Sequence, residues 1–264
     1  HLNQESFSAI GLRRHPPAHP TFKYVQADIA QPDSLKILQD INPEIVVYCV
    51  AANAQTDESY RTHYVEGLRH VLDALKKVTR LKHIFFVSST RVYGQNAGEF
   101  LDEATTPLPA DFGGQRLLEA EQLLLNATQS TSKWKATILR LTGIYGPGRT
   151  YMLRLAASPS EWPTQNVWTN RIHRDDAAAF IAHLIQMQVN GKSIEDCYVV
   201  TDSACVTQHE VLQWLADQTG NLVQQQASEI TGGKRMLNHR MLSTGFALKY
   251  PDYKAGYAAL LQSL

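Results

Sequence analysis

The sequence predicts an α/β fold built on an open parallel sheet, and three observations predict it. Apolar, β-branched runs at 44–52, 84–87 and 136–141 read as strands buried on both faces. Stretches of helical periodicity separate them, at 58–78 and 113–127. The alternation strand, helix, strand has the spacing of right-handed crossovers, which make neighbouring strands run the same way.

Each element follows from its residues. Residues 7–14 form a short strand running into a loop at 15–20, where His15 and His19 are spaced as metal ligands could be. Pro16, Pro17 and Pro20 favour an irregular exposed loop without metal. Residues 24–29 are a second short strand ending in Ala27-Asp28, and 32–39 carry a helical pattern in Leu35, Ile37 and Leu38. The 44–52 strand leads through a polar loop into the long 58–78 helix. The stretch from Lys82 to Tyr93 is the centre of the chain: its strand ends in Ser88, Ser89 and Thr90. Carboxyl ends of parallel strands line the ligand crevice. These hydroxyls either end the strand or sit where a nucleotide and a substrate meet.

The 113–127 helix follows, with Leu123, Leu124 and Leu125 in succession, more apolar surface than one helix face needs. The 136–141 strand closes in Thr142-Gly143-Ile144-Tyr145-Gly146-Pro147-Gly148-Arg149. Beyond Arg149 the pattern changes to a Trp- and Pro-bearing loop through Trp162, Pro163 and Trp168. The segment Asn170-Arg171-Ile172-His173-Arg174-Asp175-Asp176 opens an Ala-rich helix. A strand at 196–201, a helix capped by Thr207 with Glu210 three residues on, and a basic Gly-rich loop at 232–235 complete the reading. Residues 1–150 are read as the domain that carries the sheet, dinucleotide-binding by the resemblance described below, and 151–264 as a smaller lobe packed on it, the two forming one structural unit.

Bulk properties narrow the function. With 264 residues, 44% hydrophobic and 19% charged, the chain can bury a sizeable core. Lys+Arg and Asp+Glu are 25 each, and a net charge of zero argues against nucleic acid or an anionic membrane as main partner. No apolar run approaches the roughly 18 to 20 residues of a membrane span. The first residues are polar, unlike a signal peptide, and the expected location is the cytoplasm. Cys49, Cys197 and Cys205 are an odd number without ligand spacing, expected to be buried free thiols.

Four segments carry a resemblance: Ala27-Asp28 after a strand; Ser88-Ser89-Thr90-Arg91-Val92-Tyr93-Gly94; Arg140-Leu141-Thr142-Gly143-Ile144-Tyr145-Gly146-Pro147-Gly148; and Arg171 to Asp176. With these, nearly the whole chain resembles the extended and atypical short-chain dehydrogenases/reductases, the group of sugar-nucleotide epimerases, dehydratases and reductases. The resemblance implies a Rossmann-type, doubly wound parallel sheet with a small C-terminal substrate lobe, and a nicotinamide cofactor. It implies that Asp28 and Ile29 meet the adenine and that Val50, Ala51 and Ala52 line the ribose and pyrophosphate path, with Ser88, Leu141 and Thr142 also on the cofactor side. Ser89 falls at the catalytic Ser/Thr, Tyr93 is the one phenol nearby, and Thr90, Arg91, Arg149, Arg171 and His173 fall on the substrate side. Arg149 and Arg171 would hold a diphosphate; Arg171 could equally pair with Asp175 or Asp176. Where the group offers an acid to the adenosine ribose, Gly11-Leu12-Arg13-Arg14 offers two arginines. Guanidinium grips a 2′-phosphate, so NADP is favoured over NAD.

Two departures accompany the match. The strand and Gly-rich turn that cradle the pyrophosphate are missing, and His1-Leu2-Asn3-Gln4 resembles the end of the helix that follows them. The absent strand would lie between those at Phe7 and Glu44, where unpaired ladder groups cost ~1 to 3 kcal/mol each if buried. About 20 residues are therefore expected to lie outside the sequence, or their place to be filled by something unusual. The Tyr-x-x-x-Lys pair is also missing: its positions hold Gly113 and Leu117, or Phe112 and Arg116 in the shifted register. Three functions follow: an NADP-dependent reductase or epimerase-like enzyme on a phosphorylated or nucleotide-linked carbonyl or hydroxyl substrate; an inactive nucleotide-sensing or scaffold protein; and a homodimer paired through the long helices.

Overall fold

The computed structural model describes residues 7–20, 22–130, 133–221 and 228–262. The segment His1-Leu2-Asn3-Gln4 lies outside them. Two short strands open the chain, β1 (Ile10–Arg13) and β2 (Lys23–Gln26), paired in parallel with Leu12 opposite Val25. Asp28 ends this unit, its carboxylate accepting from the Ala30 N–H while Ser34 closes the turn on the Asp28 backbone. A 3-10 turn (Pro32–Lys36) passes into α1 (Ile37–Ile41), which stops at Asn42 with φ 48°. An αL residue is how a helix commonly ends, and Asn tolerates it.

The second sheet has the order β10-β6-β4-β3, made of β3 (Ile45–Tyr48), β4 (His83–Ser89), β6 (Lys135–Leu141) and β10 (Cys197–Val200). β3 and β4 run parallel with Val46 opposite Ile84. Among the described residues no strand pairs with the outer edge of β3, and β1 pairs only with β2. Between β3 and β4 the long helix is not uniform. It starts as α2 (Asp57–Tyr60), capped by the Thr56 hydroxyl, widens to a π-helix over Arg61–Glu66, and ends as α3 (Gly67–Leu75). π segments inside helices frequently mark functional positions. After β4 a short strand, β5 (Ala97–Leu101), precedes α4 (Phe112–Gln129).

Beyond β6 the elements are β7 (Gly143–Tyr145), α5 (Tyr151–Ala156), β8 (Asn166–Thr169), β9 (Arg171–His173) and α6 (Arg174–Val189). After β10 come β11 (Val206–Thr207), α7 (Gln208–Gln218), β12 (Ile230–Met236), α8 (His239–Ser243) and α9 (Tyr253–Leu261). The 232–235 stretch, read from sequence as a loop, lies inside β12, and the Trp-bearing loop contains β8. Both join β5 and β11 in a sheet of order β11-β8-β12-β5.

By its contacts the chain forms two compact units. One holds residues through Val92 with Pro109–Leu139 and Leu184–Cys197; the other holds Tyr93–Leu108, Arg140–His183 and Tyr198 onward. The segments at 93–108 and 140–150 thus belong with the C-terminal residues. In the first unit Leu35, Val65, Leu68, Phe86, Ala120 and Leu124 are fully buried in one core. Leu123 packs on that core and Leu125 is half-buried, so the three leucines are absorbed largely within the unit. In the second, Tyr145, Val211, Leu212, Leu215 and Tyr257 form another core. The cysteines are free, but Cys49 is exposed rather than buried, because it is the first residue beyond β3.

Candidate functional site

Within the first unit, the carboxyl ends of β3 and β4 gather the reactive side chains. Ser88 and Ser89 point to opposite sides of β4, and their roles divide. Ser88 is buried and its hydroxyl donates to Glu121 Oε1 of α4 at 2.6 Å. Ser89 is half-buried; its oxygen accepts from the Arg91 backbone N–H at 3.2 Å. Its proton has no acceptor among the described residues. Thr90 is buried at the start of the turn that follows.

Arg91 is the hub. Its Nε reaches both oxygens of Asp111, at 2.9 and 3.0 Å. Its Nη1 donates to Gln55 Oε1 at 3.0 Å and to Tyr60 Oη at 2.8 Å. The rings of Tyr60 and Phe112 stand 5.1 and 5.2 Å from the guanidinium carbon, within cation–π range. Tyr60 Oη donates in turn to Gln55. The loop bearing Gln55 is held by the Ser59 hydroxyl, which accepts from the N–H groups of Asn53 and Ala54.

This web explains the missing phenol. A Cβ on Gly113 would stand 2.4 Å from the Arg91 guanidinium carbon, and one on Gly114 would stand 2.4 Å from the Arg91 carbonyl. The start of α4 is glycine because Arg91 occupies the space. Leu117, at the position of the expected lysine, is buried in the apolar interior. In the shifted register Phe112 stacks edge-on to Tyr60, and Arg116 pairs with both oxygens of Asp57. Sequence reasoning missed Tyr60, Gln55 and Asp111. The available signal was Asp111-Phe112-Gly113-Gly114: a helix cap followed by two glycines, which marks a close approach.

Of the residues expected to meet the adenosine, Arg13 and Arg14 are exposed at the end of β1. Arg14 Nη2 donates to Asn53 Oδ1 at 3.0 Å, and neither arginine pairs with a carboxylate among the described residues. Asp28 and Ile29 are half-buried beyond β2, the Ile29 carbonyl accepting from His70 Nδ1. Ala51 is exposed, with Val50 and Ala52 half-buried beside it. His15 and His19 are exposed, and among the described residues no metal-ligating group exists. Arg13, Arg14 and the Asp28 turn are the guanidinium and backbone polar groups that this end of the unit offers. No Gly-rich turn for the pyrophosphate occurs among the described residues.

The remaining sequence candidates lie in the second unit. Tyr93 is fully buried; its hydroxyl donates to the Asp102 carbonyl and accepts from Arg140 Nη1 at 2.6 Å. Those bonds give this phenol a packing position. Leu141 is buried, and the Thr142 hydroxyl bonds the Val200 carbonyl and Thr201. Arg149 is exposed. Arg171 is buried, its guanidinium over Tyr253 at 5.6 Å, and its Nη1 has no hydrogen-bond partner among the described residues. Arg171 makes no ion pair with Asp175 or Asp176; Asp175 pairs with Arg174, and Asp176 accepts from the N–H groups of Lys249 and Tyr250. His173 is buried against Tyr145 and Tyr250, and burial lowers its pKa. Asp202 is buried with one oxygen unpartnered, and that burial pushes its pKa up to about 7 against the pull of Arg171.

The model of the NAD dependent epimerase/dehydratase family matches residues 1–200. The chain belongs to that family. A Methylobacillus flagellatus structure described as a member of the same family is 46% identical, covers 99% of this chain and 92% of its own, and superposes with TM-score 0.89. Among curated proteins, a Saccharomyces cerevisiae decarboxylating sterol-4-alpha-carboxylate 3-dehydrogenase is 27% identical over 131 residues, 48% of this chain and 37% of its own length. A dTDP-L-rhamnose 4-epimerase from Burkholderia thailandensis is 26% identical over 175 residues, 50% of this chain and 47% of its own. The chain thus spans less than half the length of these two relatives. No helix among the described residues is long and apolar enough to cross a membrane.

Proposed function

We propose that this epimerase/dehydratase-family protein binds NADP ahead of NAD and oxidises a carbinol, or reduces the matching carbonyl, of a nucleotide-linked or acidic substrate. The observation that carries the reading is the split between the two serines. Ser88 is committed to Glu121, whereas Ser89 keeps a hydroxyl proton to give to a substrate oxygen, at the carboxyl end of the central strand. The cofactor, when bound, supplies the hydride chemistry. Ser89 orients and polarises the oxygen of the reacting carbon. The names of the curated relatives support the substrate class: one acts on a sterol carboxylate, the other on a sugar nucleotide.

The preference for NADP rests on Arg13 and Arg14, two exposed guanidinium groups that pair with no carboxylate among the described residues. The test is a fluorescence titration with NADPH and NADH, followed by turnover on a panel of sugar nucleotides. Ser89→Ala is expected to lower kcat by about 100-fold, within the range a single donor or acid–base group contributes. Ser88→Ala should act chiefly on stability. Unchanged turnover in Ser89→Ala would remove the catalytic assignment.

A second reading has its own support. No phenol–lysine pair stands in α4, and Tyr93 is sealed by Asp102 and Arg140. In that reading the chain binds the dinucleotide without turnover. Tight NADPH binding with no activity on any substrate would favour it. A dimer through 58–78 and 113–127 belongs to the same proposal, and light scattering reports it directly.

A further inference from the structure

We propose that Arg91 selects the substrate, and that it selects for a carboxylate. The inference rests on the dinucleotide-dependent reading above and adds to it the chemistry of the second ligand.

The argument is one of preorganisation. A free arginine side chain has many rotamers, but this one has none to lose. The Tyr60 and Phe112 rings lie together on one side of it, Asp111 takes its Nε edge, and Gln55 and Tyr60 take Nη1. Gly113 leaves room for it where any Cβ would collide. Nη2 has no partner among the described residues, and it is not sealed from solvent. A guanidinium held this way binds an anion with little further ordering cost, and its N–H groups form stronger bonds to a charged oxygen than to a neutral one.

Asp111 does not spend that capacity. Its carboxylate touches only the Nε side and is shared with the Gly114 N–H that it caps. Arginine keeps its proton at every working pH. Arg91 therefore cannot stand in for a phenol as a proton donor, and an open, fixed guanidinium edge at this place serves to hold an oxyanion. Ser89 and Arg91 sit two residues apart, joined by the bond from the Arg91 N–H to Ser89 Oγ. A substrate that gives a carbinol to Ser89 and an acid group to Nη2 carries both functions, as a hydroxy acid or a hexuronic acid does.

The test compares UDP-glucuronate with UDP-glucose, which share a nucleotide and differ in a carboxylate, by calorimetry on the NADPH-saturated protein. Wild type is expected to bind UDP-glucuronate at least tenfold more tightly. The ratio should fall to near one in Arg91→Met and be partly kept in Arg91→Lys. Gly113→Ala, which displaces the guanidinium without removing its charge, should also lower the ratio, so the result does not hang on one variant folding. Equal affinities in wild type, binding of neither sugar nucleotide, or an unchanged ratio in Arg91→Met would each overturn the proposal. A parallel NADPH titration separates the two levels. Bound NADPH with no carboxylate preference defeats this inference alone, whereas absent NADPH binding defeats the reading beneath it.

Discussion

His83 and Asp202 are buried ionisable side chains with opposite consequences for pH. His83 Nε2 donates to Thr137 Oγ1, since that hydroxyl gives its own proton to the Glu195 carbonyl. Nδ1 is left bare, without a partner, beside Phe85. Desolvation, helped by Lys135, lowers its pKa to about 4 from 6.5. The unfolded chain thus takes the proton first. The contribution is fully present above pH 6.5 and is lost as pH falls towards 4, to a limit of about 3 kcal/mol. Asp202 runs the other way: its folded pKa is raised to about 7 from 3.8, so stability is present below 3.8 and is lost as pH rises towards 7. Asp202→Asn, which needs no ionisation, should raise the denaturation midpoint relative to wild type at pH 8 and do little at pH 4. His83→Leu should flatten the fall in stability between pH 6.5 and 4. Urea titrations from pH 4 to pH 8 measure both. Neither environment was legible in the sequence, because burial of a single His or Asp depends on partners 50 or more residues away, such as Thr137 for His83.

At the scale of elements, α4 tests how far tertiary packing overrides helix propensity. Alanine is favoured over glycine by about 1 kcal/mol inside a helix. Gly114→Ala should nevertheless destabilise, because the new Cβ meets the Arg91 carbonyl at 2.4 Å, and backbone cannot step aside. A loss of about 1 to 3 kcal/mol, in the usual range for overpacking, is expected by thermal melting. Alanine at the exposed Gln122 of the same helix serves as control. Strands β3, β4 and β6 were legible because continuous apolar runs have few other uses. β12 was not: Gly232, Gly233, Lys234 and Arg235 have the composition of a turn. They form a strand through pairing with β5 and β8, and Gly233 adopts φ 90° where a Cβ would strike the Trp168 backbone. The long helix was legible in extent but not in kind, since its π segment has no periodic signature.

For the molecule as a whole, ligand binding should read out as thermal stability. A ligand at 100 times its Kd adds about 2.7 kcal/mol. NADPH is accordingly expected to raise Tm more than NADH does at equal concentration, and Arg13→Ala combined with Arg14→Ala should erase the difference. Family membership was legible because Ser88 to Gly94 and Arg171 to Asp176 are local signatures at strand ends. The arrangement around Arg91 was not, because it joins Gln55 and Tyr60, Arg91, and Asp111 from three separate stretches of chain.

Among the described residues the outer edge of β3 meets no strand, and that has a kinetic consequence. In a parallel strand alternate N–H groups face opposite neighbours, so half of those in β3 are tied to β4 and half meet no strand among the described residues. Deuterium uptake along 45–48 should therefore alternate, fast and slow, residue by residue. The same unsatisfied row is a template on which another extended chain can grow. Concentrated, warmed samples of these 264 residues should show a lag followed by thioflavin-positive growth, and a lysine in place of Val47 should lengthen that lag.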